Sequence, residues 1–255
     1  MSAYKVTLGH AVSDENGNSK GGKPGDQKQN KDNTKGEVLF QDYYISGNDK
    51  WDFVARCKDP YMRNRIAEDM IYAVRNGNIG YNQDKRTTLY DAAKKFNFNC
   101  EDVTTPVDCD CSSLVTVCAN YAGIPIPRDV CTANMAITYG DTKLFDLYTS
   151  DSYTKSSDKL KVGDILVRAG HHTAVVVNLL FHLTSELKMN VVGTDVRALQ
   201  ERLNDLQITQ TPLLIDGQFG KKTDEAVRLF QKGIHATVDG IVGKTTATAL
   251  GFLWQ

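Results

Sequence analysis

An internal repeat near the C-terminus sets the first limit on the fold. Asp216-Gly217-Gln218-Phe219-Gly220-Lys221-Lys222-Thr223 recurs 23 positions later as Asp239-Gly240-Ile241-Val242-Gly243-Lys244-Thr245-Thr246. Each copy runs into an amphipathic stretch, EAVRLFQKG after the first and ATALGFL after the second. One such turn-and-helix unit cannot bury its apolar face alone, so the copies must stack on each other or on a further element. The Asp-Gly pairs supply turns in which glycine takes the left-handed conformation, and the threonine that closes each copy is placed to cap the helix that follows. Val196, Leu199, Leu203 and Leu206 form an apolar stripe at helical spacing ahead of both copies. Residues 187–255 are therefore expected to form a small three-helix module, joined through a short linker near Leu187 to Gly193.

Residues 1–186 read differently. A chain of 255 residues exceeds the length of about 150 usual for one domain, and all six cysteines (Cys57, Cys100, Cys109, Cys111, Cys118 and Cys131) fall outside the repeat module. Residues 13–36 are almost wholly polar and predict a loop, a long hairpin tip or a mobile arm, because so little apolar surface cannot offset the entropy of ordering. Glu37–Tyr44 reads as a short strand, Tyr61–Asn76 as a helix with the stripe Ile66, Met70, Ile71, Ala73 and Val74, and Thr88–Phe96 as a second helix. A third starts at Cys111 or Ser112 and stops before Gly123. Asp164–Arg168 and Thr173–Leu180 are rich in β-branched residues around a Gly-His-His turn and predict paired strands. Helices first and an antiparallel sheet afterwards make an α+β order.

The bulk numbers exclude several classes. A net charge of -1 with a pI near 6.5 lacks the positive excess that drives non-specific nucleic-acid binding. No apolar run reaches the 18 or so residues of a membrane span, and the opening MSAYKVTLGHAVSDENG has no basic stretch followed by an apolar one. The expectation is a monomer made as a soluble cytoplasmic chain, inserted in no membrane, with its cysteines reduced.

Asp108-Cys109-Asp110-Cys111-Ser112-Ser113-Leu114-Val115 places a cysteine at a helix start, where unpaired amide hydrogens and the helix dipole favour a thiolate. About 60 residues on, Gly170-His171-His172-Thr173-Ala174-Val175 places histidine at the head of a strand. A helix-borne thiol facing a strand-borne imidazole is the papain-type arrangement of nucleophile and base. Each half has an ordinary explanation, the cysteine as a small buried hydrophobe and the histidines as turn residues. Cys109, Cys111 and Cys118 with a histidine could alternatively ligate zinc, but no second closely spaced ligand pair accompanies them.

Asp110-Cys111-Ser112-Ser113-Leu114-Val115 together with His172-Thr173-Ala174-Val175-Val176 resembles the catalytic pair of NlpC-type cell-wall cysteine peptidases and of the related cysteine- and histidine-dependent amidohydrolases. Ile79-Gly80-Tyr81-Asn82-Gln83-Asp84-Lys85-Arg86 is similar to the tyrosine-bearing segment ahead of the catalytic cysteine in phage lysins of that group. The resemblance covers roughly residues 61 to 180 and implies a papain-like α+β domain, bounded at 1–186, with Cys111 as nucleophile, His172 rather than His171 as base, and Tyr81, Asp110 and Ser112 lining the substrate cleft. The family carries a polar residue on the next strand to orient the imidazole. His182 is given that place, with Glu186 as the alternative and, failing both, a backbone carbonyl or a residue from the N-terminal arm. Residues 190 to 253, with VRALQ ahead of DGQFG and AVRLFQ, resemble the three-helix peptidoglycan-binding domain of bacterial and phage hydrolases.

The two resemblances imply an endolysin whose partner is bacterial peptidoglycan. It would cut an amide bond, within the stem peptide or between N-acetylmuramic acid and L-alanine, with no metal or cofactor. It would act at the wall after release from the host cell. The competing expectations are a non-catalytic wall-binding protein with a degenerate hydrolase domain, and a zinc-containing hydrolase using Cys109, Cys111 and a histidine.

Overall fold

Short runs of β-branched and apolar residues build the sheet, and an Asp-Pro pair starts the helix that covers it. The computed structural model describes residues 6–25, 29–45, 50–177, 182–183 and 185–254. The chain divides into two compact units, Met1–Val177 and Asn178–Gln255. In the first, β1 (Thr7–Ala11), β2 (Val38–Asp42) and β3 (Phe53–Cys57) precede α1 (Pro60–Arg75). Then follow β4 (Ile79–Tyr81), α2 (Thr88–Ala93), β5 (Val107–Cys109), α3 (Cys111–Tyr121), α4 (Met135–Thr142), β6 (Phe145–Tyr148), α5 (Asp151–Thr154), β7 (Ile165–Arg168) and β8 (His172–Val176). The expected order of helices before sheet does not hold, since three strands come first. These five-residue strands are mostly buried, and two of them lack the polar alternation that announces a half-exposed strand.

Among the described residues, six strands form one antiparallel sheet in the order β2-β1-β8-β7-β3-β6. The N-terminal strand thus lies inside the sheet, paired with β2 along its length and with β8 through Leu8↔Val176 and Gly9↔Val175. Helix α1 covers one face: a Cβ on Gly9 would strike the Met70 side chain. Asp59 caps α1 by accepting from the N–H groups of Tyr61 (2.8 Å) and Met62 (3.0 Å), and Pro60 at the first position has no N–H to leave unpaired. The stripe Ile66, Met70, Ile71, Ala73 and Val74 is buried as expected. On the opposite face Leu8, Trp51, Val54, Leu166, Ala174 and Val176 form a second core layer.

The described parts of the polar segment, 13–25 and 29–36, lie between β1 and β2, in the tip of their hairpin. It is held by side chain-to-backbone bonds rather than by apolar burial: Asp14 Oδ1 accepts from Asn16 N (2.9 Å) and Asn18 N (2.7 Å), and Asn30 Oδ1 accepts from Thr34 N and Lys35 N (both 2.8 Å). The tip docks on the stretch around Tyr81. Gln83 N donates to Ser19 O (3.0 Å), Lys20 pairs with Asp84 (2.8 Å), and Tyr81 N donates to the Glu37 carboxylate (2.6 Å). Gly80 sits where the tip crosses β4; an added Cβ would meet the Gly25 carbonyl and the Glu37 carboxylate.

The second unit contains β9 (His182–Leu183), α6 (Thr194–Asp205), α7 (Lys221–Gly233), α8 (Lys244–Ala249) and β10 (Leu253–Trp254), with β9 and β10 parallel to each other. Val196, Leu199, Leu203, Phe219, Val227 and Phe230 lie in one core. The repeat acts through glutamine. Gln200 Nε2 donates to Asp216 Oδ1 (2.8 Å), Gln218 O (3.0 Å) and Thr223 Oγ1 (3.2 Å), while its Oε1 accepts from Gly217 N (2.8 Å). Gln231 makes the same set to Asp239 (2.8 Å), Ile241 O (2.9 Å), Thr246 (3.2 Å) and Gly240 N (2.9 Å). The threonines are therefore not caps. Gly220 and Gly243 hold the cap positions without a side-chain bond, and each threonine, in the third helical position, turns its hydroxyl to the glutamine. Among the described residues, no helix is long and apolar enough to cross a membrane.

Two outcomes are expected. Gly80→Ala should lower the thermal midpoint of the full chain, corresponding to about 1–3 kcal/mol of overpacking. Gln231→Ala should leave a buried turn with unsatisfied groups and cost about 1–3 kcal/mol, seen as faster hydrogen exchange in α8.

Candidate active site

Cys111 is the first residue of α3, and the local sequence explains why the helix begins there. Asp110 has extended backbone geometry and caps the helix: Oδ1 accepts from Ser113 N (2.7 Å), and the Ser113 hydroxyl accepts from Asp110 N (2.9 Å) in a reciprocal capping box. The Cys111 thiol lies within reach of the backbone N–H groups of Ser112 and of Thr173. Thr173 follows His172, which opens β8 immediately after the Ala169-Gly170-His171 turn. Helix start and strand start therefore meet at one point.

The imidazole of His172 has a partner from the N-terminal strand. His172 Nε2 lies 2.8 Å from Nδ1 of His10, and the two rings cross at 68° with centroids 5.1 Å apart. The register accounts for this: Leu8 faces Val176, which places His10 opposite Ala174, so His10 and His172 are diagonal neighbours on the same face of the sheet. One nitrogen donates and the other accepts. Aromatic rings enclose the pair, with Trp51 6.2 Å from His172, Tyr44 5.9 Å from His10, and Trp51 Nε1 donating to the Tyr44 carbonyl at 3.0 Å.

Burial governs the electrostatics. It lowers His172 to about 4 against a small opposing effect of Asp110, and lowers His10 to about 3, with His172 adding to the effect and Gln41 opposing it. Burial likewise pushes the Cys111 thiol up to about 12, and the Asp110 carboxylate adds to this; the N–H groups of Thr173 and Ser112 and the charge of Arg86 pull the other way. The expectation that the helix start alone favours a thiolate is thus overturned, because desolvation outweighs the amide hydrogens. Burial thus favours the neutral thiol and the neutral imidazole.

Tyr81 sits on β4, its hydroxyl accepting from Gln83 Nε2 (3.1 Å), and burial pushes its pKa up to about 12, with Gln83 opposing and neighbouring Cys111 adding to the shift. Asp110 and Ser112 are engaged with each other (2.9 Å) and with Arg86, whose Nε donates to Asp110 Oδ2 at 2.6 Å and whose Nη2 donates to the Ser112 hydroxyl at 2.9 Å. His182 lies in the backbone of β9 in the second unit, and its side chain is outside the described residues; Glu186 also belongs to that unit. Cys109 turns its thiol to the Gly80 carbonyl (3.3 Å), and among the described residues no three His, Cys, Asp or Glu side chains converge to hold a metal.

The model of the endolysin-like domain matches residues 8–179. The chain belongs to the endolysin-like domain family. A second model, a putative peptidoglycan binding domain, matches residues 192–250. Together they support an endolysin-type cell-wall protein. No curated protein matches. Among solved structures, a peptidoglycan-binding protein from Clostridioides difficile, in complex with glutamine hydroxamate, is 28% identical over 34% of this chain and 49% of that one, with a TM-score of 0.25. The endolysin-like chain thus aligns with about half of that protein's length.

In this endolysin-like domain His10 lies in none of the motifs, and Arg86, which closes the tyrosine-bearing segment, takes no role from it. Thr7-Leu8-Gly9-His10-Ala11 is too short and too uniformly buried to announce a strand, and His10 and His172 are 162 positions apart. A strand assignment there would have put His10 on the face of Leu8.

Both histidines bind protons less readily folded than unfolded, where the ordinary value is 6.5. Their contribution to stability is therefore complete above pH 6.5 and is lost as pH falls towards 4 and 3. The thermal midpoint should drop over that window, and His10→Asn, which removes one titrating ring, should make the drop shallower.

Proposed function

We propose that the protein is a papain-like cysteine hydrolase of peptidoglycan, cleaving an amide bond of the wall through an acyl-enzyme on Cys111. The observation that carries this reading is the meeting of a helix start and a strand start: the Cys111 thiol heads α3 within reach of the Thr173 N–H, next to His172, whose Nε2 is bonded to Nδ1 of His10. With Nε2–H of His172 donating to His10, the lone pair of His172 Nδ1 is available for the thiol proton. His10 takes the orienting place that His182 was expected to fill.

The neutral resting pair means that proton transfer accompanies attack. The Cys111 sulfur bonds to the amide carbonyl carbon as its proton passes to His172 Nδ1. The oxyanion is held by backbone N–H groups at the start of α3, including that of Cys111. His172 then gives the proton to the departing amine as the C–N bond breaks, leaving a thioester. Water, losing a proton to His172, attacks the thioester and releases the acid and the thiol. Tyr81 faces the substrate, whereas Asp110 and Ser112 shape the cleft through the helix cap. The bond cut is either in the stem peptide or between N-acetylmuramic acid and L-alanine, and residues 192–250 hold the enzyme on the wall.

Clearing of purified cell walls, with mass spectrometry of the fragments, tests the proposal. Cys111→Ala and His172→Ala should each reduce clearing by about 10³-fold or more, and His10→Ala by about 10²-fold. Equal clearing by Cys111→Ala would sink the cysteine mechanism; fragments cut only at glycosidic bonds would sink the amide reading.

A further inference from the structure

Arg86 occupies a position that neither cell-wall binding nor the thiol–imidazole chemistry assigns. It follows the short turn Gln83–Lys85. From there its guanidinium reaches three separate stretches: Nε donates to Asp110 Oδ2 at 2.6 Å, Nη2 donates to the Ser112 hydroxyl at 2.9 Å, and Nη2 also donates to the Val130 carbonyl. The ion pair is shielded, with the Arg86 and Asp110 side chains 22% and 12% exposed. Asp110 Oδ1 is already committed to Ser113 N and the Ser112 hydroxyl. Removing Arg86 would leave a carboxylate with one oxygen unmatched in a buried place next to the nucleophile, where a charge costs most.

Resting on the reading of Cys111 as nucleophile, we propose that Arg86 is a positioning residue. It locks Asp110 onto the cap of α3 and neutralises that carboxylate, so that negative charge can develop on the Cys111 sulfur during attack. Electrostatics agree in direction: the Asp110 carboxylate opposes ionisation of the thiol and Arg86 favours it. Among the described residues, Cys109 on β5, Tyr81 on β4 and Tyr44 beyond β2 also act on the thiol, and His172 opens the neighbouring β8. None of these brings a permanent positive charge, whereas Arg86 does, and its charge acts on the thiol. A substrate-binding arginine would behave otherwise, since it would contribute to KM and leave thiol reactivity alone.

The test is alkylation of the full-length protein by iodoacetamide across pH 5–10, with peptide mass spectrometry separating Cys111 from the partly exposed Cys131. Arg86→Gln should slow modification of Cys111 at pH 7 by about tenfold, the effect of one pKa unit, and move its pH profile to higher pH. In wall hydrolysis it should lower kcat with little change in KM. Asp110→Asn placed on Arg86→Gln should restore much of the alkylation rate, because asparagine still caps the helix and the unmatched charge is gone. Arg86→Lys should lie between wild type and Arg86→Gln, keeping the charge without the planar fork, and it is the variant to read if Arg86→Gln does not fold. An unchanged Cys111 profile in the folded variant, or an effect confined to KM, would overturn the proposal. Cell-wall clearing that does not depend on Cys111 would instead refute the hydrolase reading, whatever Arg86 does to alkylation.

Discussion

Antiparallel pairing of β1 with β8 is the constraint from which the site geometry follows. It brings the first described strand of the chain into the middle of the sheet, against the strand that carries His172. Because side chains alternate with a period of two, the register Leu8↔Val176 leaves no freedom in where His10 points, and a slip by one residue would send it to the face of α1. The same pairing returns the hairpin through β2, so that Glu37 and the polar tip reach the backbone of β4 at Tyr81. One strand pairing thus supplies both the partner of the imidazole and the support of the tyrosine segment.

Around this frame the proposed catalytic groups are largely buried, and burial explains the direction in which their pKa values move. Desolvation disfavours charge on the thiol and on both imidazoles more strongly than the helix start or nearby carboxylates favour it. A neutral pair has a practical consequence, since charge appears only when a carbonyl is present to receive the sulfur and amide hydrogens are present to receive the oxyanion. The capping box of Asp110 and Ser113 gives α3 its starting point, and Arg86 holds that cap from outside the helix. The rings of Trp51 and Tyr44 enclose the histidine pair.

The second unit reaches order by a different route. Two glutamines, each projecting from the helix ahead of its loop, satisfy an Asp-Gly turn and the first turn of the next helix with the same set of bonds. A small bundle gains uniqueness from such polar networks, since each would be costly if half made. The six cysteines of the first unit are all unpaired thiols, so neither unit is stapled by disulfides.

Much of this was legible in the residues. The Asp-Cys-Ser-Ser run marked the head of α3, the Gly-His-His turn marked the hairpin and the strand-initial histidine, and the repeat marked the helical module, because each depends on neighbours close in the chain. The long helices showed in their apolar stripes for the same reason. What local pattern could not supply was everything decided between distant segments. Thr7–Ala11 carries no alternation, being buried on both faces, so neither the strand nor the role of His10 could be read. The polar tip was ambiguous because its order comes from Asp14, Asn30 and contacts with β4 rather than from its own apolar content. The repeat threonines looked like caps until the glutamines, far off in sequence, claimed their hydroxyls. Even the thiolate inferred from the helix start was reversed by burial. Sequence by itself determined which chemistry-bearing residues begin which elements; tertiary structure alone decided which of them meet and how dry they are, since strand register and desolvation arise only when remote parts of the chain pack together.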